Sequence, residues 1–95
     1  MLLFRPEAEA DVQSAYRWYE SQRLGLGEEF LLSMDAAVAS IRDLQQQHPI
    51  VYRNTHRTLL RRFPYALFYL VNREQIAVIA VMHQRQDPEL WQART

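Results

Sequence analysis

Residues 58–83 read Thr-Leu-Leu-Arg-Arg-Phe-Pro-Tyr-Ala-Leu-Phe-Tyr-Leu-Val-Asn-Arg-Glu-Gln-Ile-Ala-Val-Ile-Ala-Val-Met-His. Short apolar runs, rich in β-branched and aromatic residues and separated by turn residues, predict three strands of an antiparallel sheet. Pro64 suits the first turn, where a fixed φ helps and a missing N–H does no harm. Asn72 to Glu74 suit the second, with Asn72 the residue tolerant of a left-handed backbone. Alternation puts Tyr65, Leu67, Tyr69 and Val71 on one face of the middle strand and Ala66, Phe68 and Leu70 on the other. In the last strand it sets Ile76, Val78, Ala80 and Met82 against Ala77, Ile79 and Val81. Both faces are apolar, whereas a half-solvated antiparallel strand alternates apolar with polar. Both sides of the sheet therefore need cover.

The preceding residues supply it for one side. Leu2 to Arg5 predict a short first strand. Pro6 fits the opening of a helix, and Glu7, Glu9 and Asp11 complement its N-terminal dipole. Ala8, Val12, Ala15, Tyr16 and Tyr19 recur at helical spacing up to about Arg23. Gly25-Leu26-Gly27 breaks the chain into a second helix with Phe30, Met34, Ala37, Ile41 and Leu44 on its apolar face. Pro49 lies beyond its end and biases His48 away from helical geometry. Residues 50–56 read as a polar connection. Asp87-Pro88 opens a short last helix that turns Leu90 and Trp91 back on the sheet.

The expectation is one α+β domain over residues 1–95, ordered β-α-α-β-β-β, with a helical hairpin on one sheet face and a short C-terminal segment. Two readings of the second face follow. Either an open apolar patch marks a partner site, or the tail and long Arg stems cover a small twisted sheet.

Charge is balanced overall but lopsided along the chain. Residues 1–47 hold four Arg against eight carboxylates, a balance of −4, while residues 48–95 hold seven Arg against three, a balance of +4. The basic half favours an acidic or polyanionic partner. The absence of Cys excludes disulfides and thiolate metal sites. The three His have no metal-ligand spacing, so neither metal nor cofactor is expected. No run reaches membrane-spanning length, and Met1 to Pro6 do not form a signal peptide, so a cytoplasmic location is expected.

Specific residue groups carry a resemblance. Ala10-Asp11, Trp18-Tyr19-Glu20, Gly25-Leu26-Gly27 and Phe30 resemble the opening of RelE/ParE superfamily toxins. So do Arg62-Phe63-Pro64-Tyr65 with Phe68-Tyr69, and His83-x-Arg85-x-x-Pro88-x-x-Trp91. The resemblance spans nearly the whole chain. It implies the toxin of a type II toxin–antitoxin pair, of the ParE-like plasmid stabilisation kind, neutralised in a hetero-oligomer by a mostly disordered antitoxin that folds around it. ParE-like members bind and poison DNA gyrase. RelE-like members cut messenger RNA on the ribosome without a metal.

RNA cleavage needs cations around a charged phosphoryl transition state and a general acid or base. Carried over residue by residue, the family's first basic position falls on Arg57 and its second on Leu59. Its third-strand arginine falls on Ala66, the basic site after the last strand near Gln84 or Arg85, and its C-terminal tyrosine near Trp91. Some nuclease members place a histidine where His83 stands, and histidine titrates near neutrality. A nuclease would therefore rest on His83, Arg57 and Arg85. Because Leu59, Ala66 and Trp91 lack the required groups, the resemblance favours gyrase binding, with the ribosome-dependent nuclease as alternative and a non-toxic antitoxin-binding relic as a third reading. A strand-end His83 bonded to the backbone is its plain alternative. Arg57, Arg61, Arg62, Tyr65, Tyr69, Arg85 and Trp91 are the candidate partner- or target-binding residues. On alternation, Arg61 and Arg62 point to opposite faces of their strand. Tyr65 and Tyr69 share a face, for core packing or for stacking on bases.

Overall fold

A computed structural model describes residues Met1–Thr95. The chain runs β1 (Leu2–Phe4), α1 (Pro6–Gln22), α2 (Leu26–Leu44), β2 (Ile50–Tyr52), β3 (Thr55–Leu59), β4 (Tyr65–Asn72), β5 (Gln75–His83) and α3 (Glu89–Gln92). The fold is α+β, with the helical hairpin packed on the sheet as expected. The five strands lie in the order β1-β5-β4-β3-β2, antiparallel except for β1 beside β5.

The turn between the helices is built from inside the chain. Gly25 takes φ 91°, a conformation that costs Gly little. Helix α2 has no side-chain cap of its own. The Glu20 carboxylate of α1 instead accepts the Gly25 N–H at 3.0 Å and the Gly27 N–H at 3.0 Å. One side chain thus ends one helix and satisfies the first amides of the next. Gly27 must be small: a Cβ there would stand 2.8 Å from the Tyr16 ring.

The hairpin covers one face of the sheet. Ala8, Ala15, Tyr19, Phe30, Met34, Ala37 and Ile41 bury against Leu67, Tyr69, Ile76 and Val78. Tyr19, Phe30, Phe63 and Tyr65 form an aromatic group with centroids 4.9–5.9 Å apart. The opposite face is closed as well. Trp91 of α3 stacks on Phe68 at 4.1 Å, and Tyr52 meets its edge at 5.8 Å. Ala66, Ile79, Ala80 and Met82 complete this smaller cluster, and every member is under a tenth exposed. Of the two readings of the second face, cover by the tail is the one realised: no broad apolar patch stays open there. Leu90, expected to pack with Trp91, is 51% exposed.

Four further departures have physical causes. Residues 50–52, read as connection, form β2, antiparallel to β3. The strand before Pro64 ends at Leu59, so Arg61 and Arg62 lie in a loop and do not alternate on a strand. Ser33 Oγ holds the Arg61 carbonyl at 2.8 Å, and Arg62 takes φ 71°. The loop between β4 and β5 is Arg73-Glu74; Asn72 pairs with Gln75, and the left-handed residue is Arg73 at φ 57°. Lastly, β5 carries a bulge. Phe68 pairs with Ala80 while Tyr69 pairs with Val78, so Ile79 is an extra residue. One added residue inverts the alternation beyond it. Ile76, Val78 and Val81 therefore face the hairpin, while Ile79, Ala80 and Met82 face the tail.

The bulge frees backbone groups, and the C-terminus takes them up. Asp11 Oδ2 accepts the Val81 N–H at 2.9 Å and Arg94 Nη1 at 2.7 Å. Arg94 Nη1 also donates to the Ile79 carbonyl at 3.0 Å. Asp11 thereby ties α1, the bulge and the chain end together, and keeps α3 on the tail face.

Candidate functional site

Two cavities meet at β3. The first, of about 270 Å³, lies at the end of β5 and is lined by Arg57, Leu59, Ala66, His83 and Trp91 among others. The second, of about 530 Å³, lies between α2 and the edge of β3, with Ser33, Ala36, Ser40, His48, Arg57 and Arg61 in its wall. Strand alternation carries Arg57 and Leu59 to the side of Phe68, and both residues line both cavities.

The candidate residues divide sharply. Arg57 is half-buried, and its Nε is enclosed without a hydrogen-bond partner. Arg61 and Arg85 are exposed, and no carboxylate pairs with them or with Arg57. Arg62 is different: its guanidinium meets Glu29 at 2.9 Å, and Glu29 also meets Arg23 at 2.9 Å. The Arg23 guanidinium, joined by that of Arg62, holds the Glu29 carboxyl below its ordinary range. Tyr65 is half-buried between Phe30 and His83, at 5.3 Å from each ring. Tyr69 has no exposed surface; its hydroxyl donates to the Gln45 carbonyl at 2.7 Å, and its ring stacks on His56 at 5.0 Å. Burial pushes both tyrosine hydroxyls up, with the Asp11 charge adding to Tyr65, so neither offers a phenolate at neutral pH. Within this chain Tyr69 and Trp91 are core residues, each with a ring face already stacked, on His56 and on Phe68.

The ring of His83 is committed at one nitrogen. Nδ1 accepts the Arg85 backbone N–H at 3.0 Å, and the His83 N–H donates to Gln86 Oε1 at 2.9 Å. A backbone amide can only donate, so Nδ1 carries no proton and the neutral ring is protonated at Nε2. The nitrogen whose lone pair would make it a general base already spends that pair inside its own turn. Arg57, His83 and Trp91 line one cavity; Arg62, Tyr69 and Arg85 do not, Arg85 meeting His83 only through its backbone N–H.

Sequence reasoning missed the contribution of α2 to the second cavity. Ser33, Ala36, Ala37 and Ser40 recur at helical spacing beside the β3 edge, and Ser40 Oγ hydrogen-bonds His48 Nε2 at 3.0 Å. A run of small residues on one helical stripe was the available signal. It also missed the Asp11–Arg94 pair, for which the sequence holds none.

The arrangement defines a small α+β domain with a closed two-sided sheet, a strand-end cavity whose lining includes a single arginine, Arg57, and unpaired arginines at one edge. A solved structure described as "Chromosomal ParDE TA system from P. aeruginosa" shares this fold, with a TM-score of 0.76 and 16% identity over 86% of this chain and 92% of that one. Residues 2–88 match the family described as "ParE toxin of type II toxin-antitoxin system, parDE". The chain belongs to that family, and so to the toxins of type II toxin–antitoxin systems. No curated protein matches it in sequence. No helix of the chain is long and apolar enough to cross a membrane.

Proposed function

We propose that this chain arrests growth by binding a protein target, DNA gyrase, and that a cognate antitoxin neutralises it. The lining of the strand-end cavity carries the reading. Where a ribosome-dependent nuclease of the superfamily needs a cation, a second cation and an ionisable tyrosine, this cavity presents Leu59, Ala66 and Trp91. Each missing transition-state donor is worth about two to three orders of magnitude in rate. Such losses leave phosphoryl chemistry too slow to poison translation. Binding a protein surface needs no such donors, and ParE-like kinship supports gyrase as the surface bound. The structural relative comes from a ParDE toxin–antitoxin system, which supports a cognate antitoxin for this chain.

Messenger cleavage on the ribosome is the second reading, because Arg57 and His83 do share one cavity. Expression without an antitoxin separates the two. Gyrase poisoning stops DNA replication and induces a DNA-damage response before translation falls, and His83→Ala stays toxic. Translation that fails first, with toxicity abolished by His83→Ala, would reverse the order. No growth effect from a folded, soluble chain would make it an antitoxin-binding relic.

A further inference from the structure

Helix α1 carries Asp11, Ser14, Ala15 and Trp18 at the spacing i, i+3, i+4, i+7, which sets them on one stripe. The stripe meets the end of β5, where the sheet has an open edge. Strand β1 covers that edge only as far as Val78. Further on, the Gln84 N–H donates to the Pro64 carbonyl, so residues 84 and 82 bond to β4 while residues 83 and 81 turn their backbone outward. Both outward N–H groups are used, Val81 giving to Asp11 and His83 to Gln86. The His83 carbonyl accepts the Gln86 N–H at 3.0 Å. The Val81 carbonyl has no donor in the chain. Val81 is 2% exposed, so water serves that carbonyl poorly, a state that costs free energy until a donor arrives. A cleft of about 340 Å³ lies beside it, between α1 and the turn after β5, with the rings of Trp18, Tyr65 and His83 in its wall. Trp18 is 57% exposed, a large aromatic surface left without cover.

Asp11 is the only Asp, Glu, Lys or Arg in the lining. Aromatic faces, an unpaired carbonyl and one carboxylate are the parts of a cation site. The chain shows the mode of binding at the neighbouring carbonyl of the same edge, where Arg94 Nη1 donates to Asp11 Oδ2 at 2.7 Å and to the Ile79 carbonyl at 3.0 Å. Asp11 has room for a second guanidinium. Its Oδ2 accepts two bonds, but Oδ1 accepts only one, from Arg94 Nη2 at 3.3 Å. One carboxylate already serves two arginines elsewhere in the chain, Glu29 with Arg23 and Arg62. We propose that this cleft seats an arginine side chain of the protein target. The guanidinium lies flat on the Trp18 ring and donates to the Val81 carbonyl and to Asp11 Oδ1. A planar, weakly hydrated fork suits a ring face and two separate acceptors better than a compact ammonium does. The target is the partner in question because the unpaired guanidiniums of Arg57, Arg61 and Arg85 suit a partner of the opposite charge. The proposal rests on the reading that the chain acts by binding a protein, and supplies one side chain of the surface bound.

The probe is N-acetyl-arginine methylamide, titrated into the full chain by NMR, with the lysine and citrulline analogues as controls. The Trp18 indole and Val81 amide signals should move and saturate in the millimolar range. The citrulline analogue keeps the shape without the charge and should bind about tenfold or more weakly, with lysine in between. Trp18→Ala should weaken arginine binding about fivefold, the worth of one cation–π contact, and Trp18→Phe should recover part of it. Ser14→Trp should fill the cleft and abolish binding with Trp18 still present. Both positions are exposed, so the other amide signals should stay in place. In the second arm, half-inhibition of gyrase supercoiling should need about fivefold more Trp18→Ala than wild type. No saturable shift with the arginine probe, or equal binding of citrulline, would overturn the proposal. So would arginine binding with gyrase inhibition unchanged in both Trp18→Ala and Ser14→Trp, since the target then does not use the cleft. A wild-type chain without effect on gyrase would sink the functional reading instead, and the arginine titration would still decide whether the cleft takes a guanidinium.

Discussion

On one side of the sheet the α1–α2 hairpin lays Phe30, Met34, Ala37 and Ile41 over Leu67, Tyr69 and Val78, in a cluster of 14 buried residues. On the other side a four-residue helix and the edge of β2 cover a cluster of six. The first face is closed by long amphipathic helices, whose periodicity makes burial nearly automatic. The second depends on one ring, Trp91 on Phe68, and on the Arg94–Asp11 pair that holds the chain end down. The hairpin face is the source of stability. The tail face is the thinner cover, and it borders both cavities.

The largest effect should come from the hairpin face. Phe30 has no exposed surface, so Phe30→Ala should cost about 3–5 kcal/mol in denaturant unfolding, and Ile41→Ala about 2–5 kcal/mol. Losses near 1 kcal/mol would mean that this face is not the principal core. Trp91→Ala comes next, at the low end of about 3–5 kcal/mol, because Trp91 lies at the rim of a smaller cluster. Its signature is local: hydrogen exchange should quicken in β4 and β5 amides beneath the tail while α1 and α2 stay protected. Uniform loosening would erase the distinction between the faces.

Asp11→Ala should cost about 1–3 kcal/mol, since it strands the Val81 N–H and unpairs Arg94. Truncation after Gln92 should cost about as much, and the double change clearly less than the sum of the two, because both remove the same Asp11–Arg94 pair. Additive losses would break the link between the bulge and the chain end.

These contrasts also explain what could be read in advance. The bounds of α1 and α2 were legible because Pro6, Gly25 and Pro49 punctuate two strong helical periods. The inside–outside division of β4 was legible because Tyr65 to Val71 alternate without interruption. The bulge was not: Val-Ile-Ala-Val can slip by one residue without exposing a polar group, so pattern alone does not fix the register. Strand β2 was hidden because its three residues are too few to show a period. At the site, only the resemblance gave Arg57, His83 and Trp91 a common place. The hydrogen bond that occupies His83 Nδ1 arises from a tight turn, and no spacing announces it.

The smallest expected effect is electrostatic. Glu29 is held below its ordinary pKa of 4.5 by Arg23 and Arg62. A depressed carboxyl contributes stability fully above its unfolded pKa and loses it as pH falls through the folded one. Wild type should therefore exceed Glu29→Gln slightly in melting temperature at neutral pH, and the gap should close in acid. A gap that widens in acid would mean that Glu29 acts through something other than those two arginines.

The most direct test of the central claim is made in purified systems. The chain is added to gyrase in a supercoiling reaction and, in parallel, to ribosomes translating a defined message. Inhibited supercoiling with an intact message, unchanged by His83→Ala, is the predicted result. Codon-positioned cleavage that vanishes in His83→Ala, with gyrase fully active, would contradict it.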